Sequence, residues 1–282
     1  MAFNDIPRTR SFSLGDFHDF ERCVFGFFVK HHLGKKYELE EGSQNMAIGS
    51  LLDLMIKKLH ASSAYDQPLD YLQSNLLYAA EKEIREKVAR AGKNSFYGAL
   101  IPFLTNETLT LAQEVFTSYY QKRGGRFNHS ITNKTFWEWL LKDDQILKIW
   151  GGPDAIELAD DGLPEIVDYK YFGDSEMGKN NLDMDLMPKI YTLLCASELT
   201  QAGYEKARFR VRLWQEPLDE SLYEEFDLSK AKNLEDYFKD KILRILRTQE
   251  LSFCEKPYCR VCNSSQRQTW IKRLKELGFI TG

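Results

Sequence analysis

The stretch DAIELADDGLPEIVDYKYF, residues 154 to 172, contains the pattern that decides the fold. Its second half carries β-branched and aromatic residues after a turn rich in Asp, Gly and Pro, which is typical of a β-strand. We predict that residues 160–162 form a three-residue hairpin loop, with Gly162 in the left-handed conformation that such loops favour. Counting back along both strands from this loop places Asp154 directly opposite Asp168.

This register would bring two carboxylates to within roughly 4.5 to 5.5 Å at Cβ, where like charges destabilise a sheet. Lys170 lies two residues beyond Asp168 and points to the same face, because side chains alternate along a strand. Either one Asp has a raised pKa, or both hold a divalent cation. Asp154 and Asp168 on Mg²⁺ or Mn²⁺, with Lys170 orienting a water, would suit phosphodiester hydrolysis. The alternative is a buried ion pair between Lys170 and one Asp.

The composition of the 282 residues indicates a folded globular protein, with 43% hydrophobic and 13% aromatic residues. The net charge of −4 provides no global basic field, so nucleic acid would have to bind at local basic patches. The beginning of the chain has no apolar run of signal-peptide length, which favours the cytoplasm. In that reducing compartment, the five cysteines are expected to be metal ligands or buried apolar residues.

Apolar periodicity predicts an α/β protein whose sheet lies in the second half of the chain. The first 125 residues are predicted to be helical, beginning with a helix that Ser13 and Asp16 cap and that continues to Gly34. Helices are predicted over about 48–59, 68–91, 105–122, 183–201, 229–250 and 264–277, and strands over 135–143, 145–159, 164–172 and 206–214. The first three strands are expected to form one meander.

Asp154, about a dozen residues, and then Asp168-Tyr169-Lys170 resemble the D…(D/E)XK signature of the PD-(D/E)XK nucleases. The wording GGPDAIELADDGLPEIVDYKYF is similar to the RecB-like branch of that family. The resemblance implies one nuclease domain over 1–282, with a mixed-sheet, restriction-endonuclease-like core at 130–217 between helical parts at 1–125 and 229–282. It also implies a metal-dependent DNA nuclease, namely a single-strand exonuclease of DNA repair, recombination or CRISPR adaptation. A helicase or CRISPR adaptation proteins would then be partners.

Two further segments support the resemblance and suggest site residues. Asp53 follows Gly49 where the family typically has a metal-binding His, and Asp is also an oxygen ligand for Mg²⁺ or Mn²⁺; alternatively, Asp53 is a solvated acid beside an apolar stripe. In DLMPKIYTLL, residues 185–194, the family pattern Q-x-x-x-Y retains Tyr191 but has Met187 in place of Gln. Tyr191 would help to position substrate, or it is a core aromatic. The carbonyl of Tyr169 would complete the cation site.

The cysteines near the end of the chain are spaced closely enough for one metal centre. Cys254, Cys259 and Cys262 are separated by four and two residues, and Cys23, on the apolar face of the first helix, could supply a fourth thiolate. This arrangement resembles the iron-sulfur site of RecB-like nucleases, which implies a structural 4Fe-4S cluster, with Zn²⁺ as the rival. Cys195 is expected to be a buried apolar residue.

Three arginines alternate with apolar residues on the strand at 206–214. Arg208, Arg210 and Arg212 would share one face and could form a phosphate track, or they are the solvated face of an edge strand. Glu138 is a weaker candidate for the acidic site. The rival function is a nucleic-acid-binding subunit that keeps the fold without efficient catalysis, because Asp53 and Met187 depart from the family pattern.

Overall fold

The computed structural model describes residues 9–33, 43–62, 67–92, 95–122, 135–140, 146–172, 185–214, 222–254, 259 and 261–280. In chain order the elements are β1 (Thr9–Phe12), α1 (Leu14–Arg22), α2 (Val24–Leu33), α3 (Gln44–Ser62), α4 (Leu69–Ala91), α5 (Phe96–Leu100), a 3₁₀ turn (Ile101–Phe103), α6 (Asn106–Lys122), β2 (Thr135–Leu140), β3 (Ile146–Gly151), β4 (Ala155–Leu158), β5 (Pro164–Lys170), α7 (Leu186–Gln201), β6 (Lys206–Leu213), β7 (Leu222–Asp227), a 3₁₀ turn (Leu228–Lys230), α8 (Ala231–Arg247) and α9 (Arg267–Glu276). The protein is therefore mixed α/β, as predicted.

The chain forms two compact units, each built from separated segments. The terminal unit comprises 1–38, 135–151 and 232–282, and the central unit comprises 39–134 and 152–231. The single domain predicted over 1–282 stays a prediction. None of the helices in the described part of the chain is both long and apolar enough to cross a membrane.

The central unit contains a four-stranded sheet in the order β4-β5-β6-β7, with the middle pair parallel and the outer pairs antiparallel. The register of the first pair is the predicted one, because Ala155 faces Val167 and Leu158 faces Pro164. Gly162 has a φ of +83° and its amide bonds to the carbonyl of Ala159 at 2.9 Å. The loop predicted from the Asp-Asp-Gly sequence is therefore confirmed, and it sets which residues of β4 pair with which residues of β5.

Helices cover this sheet. The core joins α3, α4 and α6 to one sheet face, where Val167, Tyr169 and Trp214 are buried. On α3 the predicted apolar stripe is confirmed, since its members are all buried: Ile48, Leu51, Leu52, Met55, Ile56 and Leu59. α7 packs against β5 and β6. Packing against these helices accounts for the burial of β5, in which every residue except Lys170 is buried, its two acids included.

The terminal unit has its own three-stranded sheet, in the order β1-β3-β2, and four helices. The Ser13 and Asp16 capping box is confirmed, with the Ser13 amide 2.7 Å from Asp16 Oδ2. The single helix predicted to Gly34 is wrong: Cys23 has extended dihedrals and separates α1 from α2. Gly34 itself lies outside the described residues. Phe17 packs on Phe238 at 5.6 Å between ring centroids.

The predicted meander is also wrong, because its strands belong to two different sheets. The run 145–159 contains two strands, β3 and β4, separated by Gly152, Pro153 and Asp154. Glycine and proline weaken strand pairing, so this tripeptide is a natural break. The sequence analysis also missed β1, β7 and the short α5. In β7 three acidic residues conceal the alternation, which is common in edge strands.

Candidate active site

Asp154 and Asp168 lie on adjacent strands and are both buried. The Asp154 amide bonds to the Val167 carbonyl at 3.0 Å, although Val167 already pairs with Ala155, so both Asp154 and Ala155 lie opposite Val167 at this end of the strand pair. Asp154 Oδ2 accepts a hydrogen bond from the Tyr169 amide at 2.8 Å. Asp154 is 8% exposed and Asp168 is 2% exposed. The hairpin thus brings two buried carboxylates to one cavity, whereas the direct pairing of Asp154 with Asp168 stays a prediction.

Lys170 pairs with Asp168, with 2.6 Å between Nζ and Oδ2. Burial raises the pKa of Asp168 to about 6; Lys170 opposes this rise and the charge of Asp154 adds to it. Burial disfavours the ammonium form of Lys170, but Asp168 and Asp154 raise its pKa above the usual value. Two of the possibilities that the sequence left open are therefore present together: Lys170 forms an ion pair with Asp168, and the pKa of Asp168 is raised. The shared cation stays a prediction.

Helix α3 adds a third carboxylate and a second lysine. The Lys57 ammonium lies 2.6 Å from Asp53 Oδ1 and 3.0 Å from Asp154 Oδ1. Burial, with the charge of Asp154, raises the pKa of Asp53 to about 7 against the effect of Lys57. Burial acts in the same direction on Asp154, yet Lys57 and Lys170 hold its pKa below the usual value. The sequence analysis missed Lys57, although it stands four residues after Asp53 on one helix face.

These five charged side chains line one cavity of about 690 Å³ in the central unit. Gly49 lines it too, and a Cβ added there would lie 3.6 Å from the Tyr171 Cβ, in ordinary van der Waals contact. Aromatic residues make up much of the remaining wall: Phe96, Tyr97, Tyr169, Tyr171, Phe172 and Tyr191.

The three carboxylates offer the hard oxygen ligands that Mg²⁺ and Mn²⁺ prefer, so their chemistry fits the predicted cation. They are less closely gathered than the cysteines described below. Over the described ranges, ligand atoms of three or more residues lie within 4.8 Å of one another only at those cysteines and at Asp16, Asp19 and His31. In the cavity, two ammonium groups share the space with the acids. Coordination by the Tyr169 carbonyl stays a prediction.

Tyr191 has features of both roles that the sequence left open. It lines the cavity, and its ring packs 5.9 Å from that of Phe209, between centroids, under the sheet. Burial, helped by the charges of Asp168 and Asp154, raises the pKa of its hydroxyl. Met187, which stands at the expected Gln, is buried. A position near the acids is thus established for Tyr191, whereas substrate contact stays a prediction.

The arginine row on β6 is not a free row of cations. Arg212 Nη2 lies 2.7 Å from Glu165 Oε2, Arg210 Nη2 lies 2.7 Å from Glu165 Oε1, and Arg208 bonds to Glu225 at 2.8 Å. The register puts Arg212 beside Tyr169, on the sheet face opposite to Asp168. The alternation of residues along β6 could not predict these ion pairs, because the acids lie on the neighbouring strands β5 and β7. Nucleic-acid contact by these arginines stays a prediction that their pairing disfavours.

Glu138, the weaker candidate, lies in the terminal unit. It is exposed on β2 and accepts a hydrogen bond from Lys148 Nζ at 2.7 Å. It is not among the residues that line the cavity. Its assignment to the acidic site assumed that β2 shares a sheet with the hairpin strands β4 and β5; because β2 belongs to the other sheet, that assignment is wrong.

The four predicted cysteines are gathered in the terminal unit, with their sulfur atoms all within 4.8 Å of one another. Cys262 Sγ lies 3.4 Å from Cys23 Sγ and 3.7 Å from Cys254 Sγ. Burial opposes ionisation of Cys259, but hydrogen bonds, first from the Cys262 amide, lower its pKa to about 7. The break between α1 and α2 at Cys23 places the first thiolate in this group. Cys195 is buried on α7, as predicted.

Comparison with known proteins identifies the class. A model of the PD-(D/E)XK nuclease superfamily matches residues 11–267, and the chain belongs to that superfamily. No curated protein matches the chain. A solved structure titled "Crystal structure of SSO0001" is 13% identical, with 85% of this chain and 90% of that chain covered and a TM-score of 0.25. At that TM-score the likeness carries no argument about this protein.

Proposed function

We propose that this protein is a DNA nuclease of the RecB-like branch that requires Mg²⁺ or Mn²⁺ and acts as an exonuclease on single-stranded ends. The observation that carries the proposal is the convergence of Asp154, Asp168 and Lys170 at one cavity in a chain of this superfamily. The pairing of β4 with β5 supports this assignment, since Asp154 directly precedes β4 and Asp168 lies on β5, and Lys170 forms an ion pair with Asp168. Asp53 adds a third carboxylate from α3.

Each of these side chains has a role that its position supports. A divalent cation at such acids supplies charge neutralisation for the phosphate and lowers the pKa of water. Asp154 and Asp168 would hold it, with Asp53 assisting. The Tyr169 amide fixes one oxygen of Asp154, so that carboxylate is oriented before any ligand arrives. Lys170 would donate a hydrogen bond to the attacking water or to the phosphate oxygen that gains charge.

Aromatic side chains in the cavity wall support the single-strand preference. Phe96 is 42% exposed although it is a large apolar residue, and its ring lies 5.3 Å from that of Tyr97, between centroids. Unpaired bases stack on exposed rings without regard to sequence. Bases in a duplex already stack on each other and cannot do so without opening. The wall therefore suits an unpaired end.

Cleavage of labelled DNA with Mn²⁺ tests the proposal. We expect the wild type to degrade single-stranded DNA faster than a blunt duplex, and Asp168→Asn to lower the rate at least about a hundredfold. Asp70→Asn, at an exposed acid of α4 that does not line the cavity, is the matched control and should keep full activity. Cleavage that persists in Asp168→Asn would refute the catalytic assignment. Binding of DNA with no cleavage by the wild type would favour the rival, a catalytically weak binding subunit.

We further propose that the four cysteines hold a structural metal centre. The resemblance favours a 4Fe-4S cluster, whereas the distances favour a single ion. Four thiolates at about 2.3 Å from a tetrahedral zinc would lie about 3.8 Å apart, close to the 3.4 and 3.7 Å observed. Anaerobic purification followed by an absorption spectrum and metal analysis distinguishes them. A brown protein with iron and sulfide supports the cluster; a colourless protein with one zinc supports the ion.

The pathway and location rest on the resemblance to RecB-like nucleases. We infer a role in DNA repair, recombination or CRISPR adaptation, with a helicase or CRISPR adaptation proteins as partners. The cytoplasm suits cysteines that must stay reduced to bind metal. Isolation of the tagged protein from its native cells should recover such partners, and recovery of unrelated proteins alone would contradict this role.

A further inference from the structure

We propose that Lys57 contacts the substrate, and that it does so only after a divalent cation has displaced it from the acids of the cavity. In the absence of a cation its ammonium group bridges two of the acids, and once a divalent cation replaces it there, it binds a phosphate of the nucleic acid. This inference rests on the proposed function, because it requires a cation at Asp53 and Asp154.

The geometry shows that Lys57 and a cation would compete. Its Nζ lies 2.6 Å from Asp53 Oδ1 and 3.0 Å from Asp154 Oδ1, so it already uses one oxygen of each carboxylate. Asp154 cannot turn away freely, since its other oxygen accepts the Tyr169 amide. The Oδ1 atoms of Asp53 and Asp154 are thus the oxygens that Lys57 occupies and that a cation would need. Lys57 has to leave them before a divalent cation can bind both acids.

Lys57 has room to leave, since its side chain is 41% exposed and lines the cavity. Its four-carbon stem has several rotatable bonds, and the ammonium group is compact and well hydrated. The Lys170 side chain is almost as exposed, at 35%, but its partner Asp168 is only 3% exposed, against 35% for Asp53 and 12% for Asp154. Of these two lysines, Lys57 is therefore the one whose partners a cation can reach more easily.

The charge balance indicates what Lys57 would bind next. Among the described residues lining the cavity, three ionised carboxylates and two ammonium groups leave one net negative charge, which repels a phosphate. A divalent cation reverses the balance to one net positive charge. At that moment Lys57 loses its bridging partners inside a cavity that now attracts anions. A backbone phosphate is the anion that a nuclease substrate brings.

Two measurements with Lys57→Gln test the proposal. Calorimetric titration with Mn²⁺, without nucleic acid, should show affinity raised about tenfold over the wild type, the order expected when one close charge competitor is removed. In Ca²⁺, which takes similar oxygen ligands, a single-stranded oligonucleotide should bind more weakly. The slope of log affinity against log salt should fall by about 0.7, the value for one lost phosphate contact on a single strand.

Lys58→Gln is the matched control, because Lys58 is the adjacent lysine and pairs with Glu83 on α4, 2.6 Å away, and not with the cavity acids. It should leave both measurements at wild-type values. Unchanged Mn²⁺ affinity in Lys57→Gln, or an unchanged salt slope, overturns the inference while the proposed nuclease stands. Failure of wild type and Lys57→Gln alike to bind Mn²⁺ overturns both. Circular dichroism confirms that each variant is folded.

Discussion

The acidic cavity and the cysteine group are both candidate metal sites, but they are built in opposite ways. The cavity offers hard carboxylate oxygens, partly neutralised by two lysines and connected to a space of about 690 Å³. The cysteine group offers four soft thiolates within 4.8 Å, with Cys23 and Cys262 buried. A site that must exchange ligands keeps replaceable partners and an opening. A site that only has to hold the fold together can be closed.

The difference extends to how each site arises along the chain. The acids Asp154 and Asp168 are joined by one hairpin, so local pairing suffices to bring them together. The thiolates come from positions 23 and 254 to 262, so the fold has to close a long loop before they meet. Closing a long loop costs entropy, which bound metal would offset. We therefore expect loss of the cysteine site to act on stability and loss of the acidic site to act on chemistry.

The largest effect that would sharpen this contrast is expected at Cys262, whose sulfur lies 3.4 Å from that of Cys23 and 3.7 Å from that of Cys254. Cys262→Ser should remove bound metal and lower the free energy of unfolding by about 3 kcal/mol, by analogy with a cross-link that closes a long loop. Denaturant titration of the purified protein measures this loss. Cys195→Ala, at a buried cysteine outside the group, should keep the metal content unchanged. Full metal content in Cys262→Ser would break the comparison.

A smaller effect is expected at the cavity wall. Phe96→Ala should weaken binding of single-stranded DNA about tenfold, the order of one lost base-stacking contact, and leave duplex affinity within about twofold. Fluorescence anisotropy with both substrates measures the ratio. Tyr78→Ala, at an exposed ring on α4 that does not line the cavity, is the control. Equal losses for single strand and duplex would contradict base stacking.

The smallest effect concerns pH and Asp53. Because its pKa is raised from 3.8 to about 7, the carboxylate disfavours the fold when it ionises. This cost is absent below about pH 4 and grows until the pH passes 7. In EDTA, Asp53→Asn should therefore match the wild type in stability at pH 4 and exceed it at pH 8, by an amount on the order of 1 kcal/mol after solvent screening.

Thermal unfolding at the two pH values measures this difference, and Mn²⁺ should reverse it at pH 8, because the wild type alone keeps the third carboxylate for the cation. Asp70→Asn, at an acid near the N-terminus of α4, is the control: its stability should differ from that of the wild type by the same amount with and without Mn²⁺. A wild type that is more stable than Asp53→Asn in EDTA at pH 8 would show that the Lys57 ion pair outweighs the cost of burial.

The sequence predicted the fold class and the hairpin because both follow from local patterns. Turn chemistry at Asp160-Asp161-Gly162 predicted the pairing of β4 with β5, and that pairing brings Asp154 and Asp168 to the same cavity. Apolar periodicity similarly predicted α3 and the buried stripe on it. The sequence did not predict which strands share a sheet. The residues of β3 and β4 were predicted to form one strand, although the two strands pair in different sheets. Pairing partners far apart in the chain leave no trace in a local alternation pattern.

The sequence by itself therefore identified the candidate site residues: the two acids and lysine of the hairpin, Asp53 on α3, and the four cysteines. Only the tertiary structure decided their partners. It placed Lys57 between Asp53 and Asp154, and it paired Arg208, Arg210 and Arg212 with acids on neighbouring strands. The reason is physical: periodicity specifies the direction of a side chain from its own backbone, whereas charge pairing depends on what another segment brings to the same point in space.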